Sequence, residues 1–236
     1  MPFLYDASYL LVLIGLGLTL WASVTVKSTF AKYAKIPTRC GACGSDAARA
    51  VLQSGGVTDV AITQIPGELT DHFDPQLKVI SLSENVCREA SVAAVGVAAH
   101  EAGHALQYAQ GYAPVSLRTA IIPVCNFASR ISTPLFLIGV LLTSWIPDGN
   151  LGDTLINAGI FAFAVAVFFQ VVTLPVEFNA SRRAVAALTA TGQYSSEELD
   201  GVQKVLRAAA LTYVAGLAAS LLQILRLILI TNNRRN

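Results

Sequence analysis

The stretch from Ala7 to Val26, ASYLLVLIGLGLTLWASVTV, runs 20 residues without a charge. A helix needs about 20 apolar residues to cross the hydrocarbon core of a bilayer. Inside that core every backbone polar group must be paired within the protein, so such a stretch commits the chain to a helical span. Composition extends the point to the rest of the chain. Its 236 residues are 54% hydrophobic and 13% charged, against about 25% charged in ordinary soluble domains. A net charge of +1 supplies no electrostatic footprint for nucleic acid. The expected class is therefore mainly α, a multi-pass helical membrane protein in which the bilayer is a partner.

Three further apolar segments follow. Ile131 to Pro147 is short, but its helix can begin near Ile121, giving a span over 121–147. Thr154 to Val176 forms a third, and 208–230 a fourth that either spans or re-enters. Asp6 precedes the first segment with no basic residue, unlike a cleaved signal peptide. Lys27, Lys32, Lys35 and Arg39 follow it. The positive-inside rule then puts the N-terminus outside and that flank in the cytoplasm. The link DGNLGD carries Asp148 and Asp153 and no base, which suits the outer side. The fourth segment has bases at both ends, so its orientation stays open.

A polar region over 27–120 separates the first two spans. Ser45 can cap a helix through DAARAVLQ that stops at Gly55-Gly56. Val57–Ile65 and Leu77–Leu82 resemble short strands joined by PGELTDHFDPQ, a small β-hairpin or short sheet. Ser91 can cap a helix over 91–110 that Gly111 ends. Ser195 with Glu198 three residues on makes a capping box. Cys40 and Cys43 form a CxxC, but Cys87 and Cys125 stand apart from it. A zinc ribbon would need a second pair, so the CxxC reads as a polar loop with incidental thiols.

Chemistry concentrates in VAAHEAGHALQ, Val97 to Gln107. His100 and His104 are four residues apart, share one helical face, and can grip one ion. Glu101 follows the first histidine and can reach a metal-bound water. Of three histidines in the chain, two sit at this spacing, and three uncompensated polar groups would be costly in so apolar a helix. A catalytic Zn²⁺ takes a third protein ligand. His72 is the remaining histidine. Among the acids Glu177 stands out, because it follows the third span directly. If the second span exits and the third returns, Glu177 re-enters on the side of His100 and His104. The alternative for Glu177 is an interfacial carboxylate paired to Arg182 or Arg183.

GELTDHFDPQLKVISLSENV, SVAAVGVAAHEAGHALQYAQGY and TLPVEFNASRRA together resemble the YugP-like family of neutral zinc metallopeptidases of bacterial membranes. The similarity covers nearly the whole chain, including VLRAAALTYVA. That family is similar in layout to the HtpX and CAAX-processing peptidases, gluzincins with two helix histidines and a downstream glutamate. The resemblance implies one catalytic zinc on His100, His104 and Glu177, a gluzincin-like catalytic region on the cytoplasmic side of the plasma membrane, and a segment 177–204 bearing the third ligand. It implies hydrolysis of protein or peptide substrates by zinc-activated water, with Glu101 as general base. Relatives of this layout carry Glu-x-x-Ala-Asp at the third ligand, whereas this chain has Ser181 in place of the aspartate that orients a ligand histidine. Asn179 or another carboxylate could substitute. His72, Arg182 and Arg183 are candidates for stabilising the oxyanion. The strand over Leu77–Leu82 is a candidate to hold substrate by backbone pairing. The rival reading is a non-hydrolytic zinc-bound membrane scaffold or adaptor, which has no need of a base beside the first histidine. A transporter fits less well, because its ionisable residues should lie deep within several spans.

Overall fold

Among the described residues, four helices in the computed structural model are long and apolar enough to cross a membrane. The structure describes residues 8–146 and 150–235; Asp6, Ala7, Pro147 and Asp148 of the predicted boundaries lie outside them. In chain order the elements are α1 (Tyr9–Tyr33), α2 (Gly44–Ser54), β1 (Ala61–Ile65), β2 (His72–Asp74), β3 (Val79–Ser83), α3 (Glu84–Arg88), α4 (Val92–Ala109), α5 (Ala113–Trp145), α6 (Asn150–Thr191) and α7 (Ser196–Arg235).

Several boundaries follow the local chemistry. Ser91 accepts a hydrogen bond from the Ala94 amide at 3.2 Å and starts α4. The Ser195 amide donates to Glu198 at 2.7 Å and the Glu198 amide to Ser195 Oγ at 3.2 Å, a closed capping box at the head of α7. Gly56 and Gly111 take positive φ after α2 and α4, where a side chain would be strained. The expected cap at Ser45 is corrected: α2 begins at Gly44, and the Cys43 amide donates to Asp46. Position 44 must be bare, since a Cβ there would meet the Val86 carbonyl oxygen at 2.1 Å.

The sheet differs from the expected pair of strands. Its order is β1-β3-β2, with β1 parallel and β2 antiparallel to β3. Strand β2 lies within the segment read as a connection. Strand β3 is therefore central, paired with β1 over Val79–Ser83 and with β2 over Val79–Ser81, so Leu77–Leu82 is not the edge strand expected to hold substrate by backbone pairing; the sheet's edges are β1 and β2. The long helices also depart from the expected segmentation. Pro175 does not end α6, which carries the third predicted span and the head of 177–204 as one helix. The break falls instead at Gly192, with φ +65°, and α7 then runs unbroken through the fourth apolar segment.

The chain divides into two compact units. One comprises Ala22–Ser116 and Leu174–Thr212; the other comprises the described residues of Met1–Trp21, Leu117–Thr173 and Tyr213–Asn236. The first holds a buried cluster of Ile80, Leu82, Val92, Val95, Leu188 and Val202 around α4. The second is packed by small residues. A Cβ on Gly159 would stand 2.7 Å from the Phe136 amide nitrogen, and one on Gly15 would stand 3.2 Å from the Cβ of Ala219. Such small-residue contacts are the usual way helices approach in lipid, where burying apolar surface gives no drive.

Candidate active site

Helix α4 is buried on most of its surface by Ala, Gly and Val. Small side chains let neighbouring backbones come close, and at one point this builds the site. A Cβ on Gly103 would lie 2.4 Å from the Ala180 carbonyl oxygen. Glycine between the two histidines thus allows α6 to press against α4, and that contact carries Glu177 to the imidazoles.

The donor atoms converge. Glu177 Oε2 lies 3.2 Å from His100 Nε2 and 3.6 Å from His104 Nε2. The imidazole rings sit 4.7 Å apart at 78°. The three residues offer one ligand atom each, all within 4.8 Å of one another, and form the one such group of three or more among the described residues. With metal–ligand bonds of about 2.0–2.1 Å, the edge of a tetrahedron is about 3.3 Å. The two measured separations bracket that edge. The donor set, two neutral nitrogens and one carboxylate oxygen, is one that zinc accepts at hydrolytic centres. The residues present therefore fit a zinc ion. Their side chains are 17%, 11% and 3% exposed for His100, His104 and Glu177, so the pocket is sheltered while His100 retains some solvent access.

The far nitrogens of both rings are held as well. His100 Nδ1 is 3.1 Å from Ser181 Oγ. His104 Nδ1 is 3.0 Å from Gln107 Oε1. Glu101, part-buried beside them, has its proton affinity raised, first by burial; the imidazoles of His100 and His104 pull it down, and the charges of Glu177 and Asp71 push it up. Asp71 is fixed by the Ser83 amide at 2.7 Å and the Ser83 hydroxyl at 3.1 Å. For His104, burial opposes the charged ring, but the hydrogen bond and charge of Glu177 with the charge of Glu101 outweigh it, and the ring's pKa is raised.

Residues 8–232 match the family described as "Putative neutral zinc metallopeptidase". The chain belongs to that family. It is also 46% identical over 226 residues to "Putative membrane protease YugP" of Bacillus subtilis strain 168, covering 96% of this chain and 97% of the relative. No solved structure matches it. His100, His104 and Glu177 form a possible metal site in a chain of this family.

The remaining predicted residues divide by position. Ser181, noted as a departure from the aspartate, still reaches His100. Asn179 does not touch an imidazole; its Oδ1 takes hydrogen bonds from Gln107 Nε2 at 3.0 Å and Arg183 Nε at 2.6 Å. Arg183 also donates to Gln110 Oε1 and lies over the Tyr112 ring. Arg182 is exposed. His72 is exposed on β2, its Nδ1 2.8 Å from the Thr70 carbonyl oxygen. Gln107 escaped the sequence reading. A fully buried amide in an alanine-rich helix, one turn after the second histidine, was the signal available for it.

Proposed function

We propose that this chain is a zinc-dependent endopeptidase that cleaves membrane or membrane-proximal proteins, with its site on the cytoplasmic side of the bacterial plasma membrane. The observation that carries the reading is the convergence of His100, His104 and Glu177, with the carboxylate 3.2 and 3.6 Å from the two imidazole nitrogens and Glu101 next to the first histidine. Zinc bound there would polarise a peptide carbonyl and lower the pKa of a water. His100, His104 and Glu177 hold the ligand atoms, and Ser181 and Gln107 hold the two rings. Glu101 accepts the proton of the attacking water and passes it to the leaving amine. Burial around Glu101 raises its proton affinity and so favours that transfer. His72, exposed at the edge strand β2, remains our candidate for stabilising the oxyanion. The basic flank of Lys27, Lys32, Lys35 and Arg39 supports the cytoplasmic placement.

The test is Glu101→Gln, which keeps the shape of the side chain but cannot take a proton. Full-length protein in detergent should retain about one zinc per chain and lose peptidase activity by about 10²–10⁴-fold. Undiminished chelator-sensitive cleavage would remove Glu101 as base. For the side of the membrane, Gln193→Cys in a cysteine-free background should resist an impermeant thiol reagent in intact cells; labelling from outside would reverse the topology.

A further inference from the structure

We infer that Gln107 is a positioning residue which, with Asn179 and Arg183, fixes the tautomer of His104 and so turns the lone pair of Nε2 toward the metal position. The inference rests on the zinc-site reading above. Its force comes from the polarity of the hydrogen bonds, which is compelled from two ends.

At one end is a backbone carbonyl. Gln107 Nε2 lies 2.8 Å from the Val176 oxygen, which can only accept. The amide nitrogen of Gln107 must therefore face Val176, and its oxygen must face away. At the other end is a guanidinium. Arg183 Nε can only donate, so the Asn179 atom 2.6 Å from it is the carbonyl oxygen. That same oxygen lies 3.0 Å from Gln107 and needs a donor there, which is again Nε2. Both ends assign the Gln107 amide the same way. Its Oε1 then points to His104 Nδ1 at 3.0 Å, and an amide oxygen can only accept. Nδ1 must carry the proton. In the neutral ring Nε2 is then unprotonated, 3.6 Å from Glu177 Oε2, and ready to be a ligand; the hydrogen bond to Glu177 belongs to the charged ring.

His100 lacks this constraint. Its Nδ1 meets Ser181 Oγ, and a hydroxyl can donate or accept, so the serine does not dictate the tautomer. Gln107 is fully buried, and its amide makes three polar contacts, to His104, Val176 and Asn179, a placement that costs stability unless the partners are kept. The arrangement also gives Arg183 and Asn179 a role behind His104, through another residue, and away from the oxyanion.

The chain has three histidines, so ring-¹⁵N-histidine labelling of the full-length protein gives a readable spectrum. The experiment uses metal-free protein at a pH high enough that the ¹⁵N shifts themselves report neutral rings, since burial of His104 is outweighed by its contacts with Glu177 and Glu101, which raise its pKa above the ordinary histidine range. His104 should appear as the Nδ1–H tautomer in the native chain. In Gln107→Leu it should shift toward Nε2–H, and zinc affinity measured with a competing dye should fall by about 10–100-fold. Gln107→Glu keeps an acceptor for Nδ1 while setting a carboxylate oxygen against the Val176 carbonyl, and should keep the native tautomer at some cost in stability. A residue that merely filled space would leave the His104 tautomer the same in both variants. Nε2–H at His104 in the native chain, or a tautomer unmoved in Gln107→Leu, overturns the inference. A native chain that shows Nδ1–H and responds to Gln107→Leu, yet binds no zinc, upholds the tautomer clamp and removes the zinc reading instead.

Discussion

The unit that holds the site and the unit of apolar helix segments use small residues for different ends. In the site-bearing unit, α4 is rich in alanine and glycine, and this lets a polar residue of α6 reach its histidines: Gly103 admits the Ala180 backbone, and Glu177 arrives at the imidazoles as a result. Around that contact lies a buried apolar cluster of the kind found in soluble proteins. In the other unit Gly139, Gly152 and Gly159 also permit close backbone approach. There, however, the large apolar residues face outward: Phe161 is 72% and Leu13 61% exposed. An exterior of that kind is an expected boundary with lipid and a liability in water. The lesson is that a glycine at a helix contact carries no function by itself. What matters is the polar residue that the contact delivers.

This difference can be broken by paired substitutions. Gly103→Val should have the largest effect. It forces α6 away from α4, costs about 1–3 kcal/mol as overpacking, and should abolish high-affinity zinc binding because Glu177 withdraws. Gly159→Val should cost a similar amount in thermal unfolding in detergent but leave zinc affinity unchanged. If the two variants lose zinc equally, the units do not behave separately. Phe161→Leu, on the outward face, should change stability by no more than about 0.5 kcal/mol. A larger loss would show that this face is packed against protein.

The sequence made part of this legible. The i, i+4 histidines were readable because helical geometry alone puts them on one face, and Glu177 because counting spans returned it to their side. Ser91, Ser195 and Glu198 were readable because capping is local chemistry. What escaped was non-local. β2 has three residues and sits among turn-forming Asp, Gly and Pro, so no alternation announces it. β3 took the centre of the sheet through its pairing with β1, which adjacent sequence does not specify. The third span was bounded at Val176 by its run of apolar residues, yet α6 continues as one helix through Pro175 to Thr191. Gln107 was hidden for a related reason. Its value lies in Val176 and Asn179, about seventy residues away along the chain.

The central claim is that α4 and α6 together make one zinc site, with Glu177 as the third ligand. It predicts a distinct pH signature as well. Protons compete with zinc for the two imidazoles, and the raised pKa of His104 means that competition begins above the ordinary histidine range. Zinc affinity should therefore fall as pH is lowered and level off at high pH once both rings are neutral. The most direct measurement is competition titration with a zinc-binding dye on the native chain, Glu177→Ala, Glu177→Asp and Arg182→Ala, at a pH on that plateau. Loss of a direct ligand should exceed the 10–100-fold typical of residues that only orient ligands, so Glu177→Ala should weaken binding by more than about 100-fold. Glu177→Asp should recover part of it, and Arg182→Ala, whose side chain is exposed, should match the native chain. Native affinity in Glu177→Ala would contradict the account and return Glu177 to the role of a buried carboxylate beside two histidines.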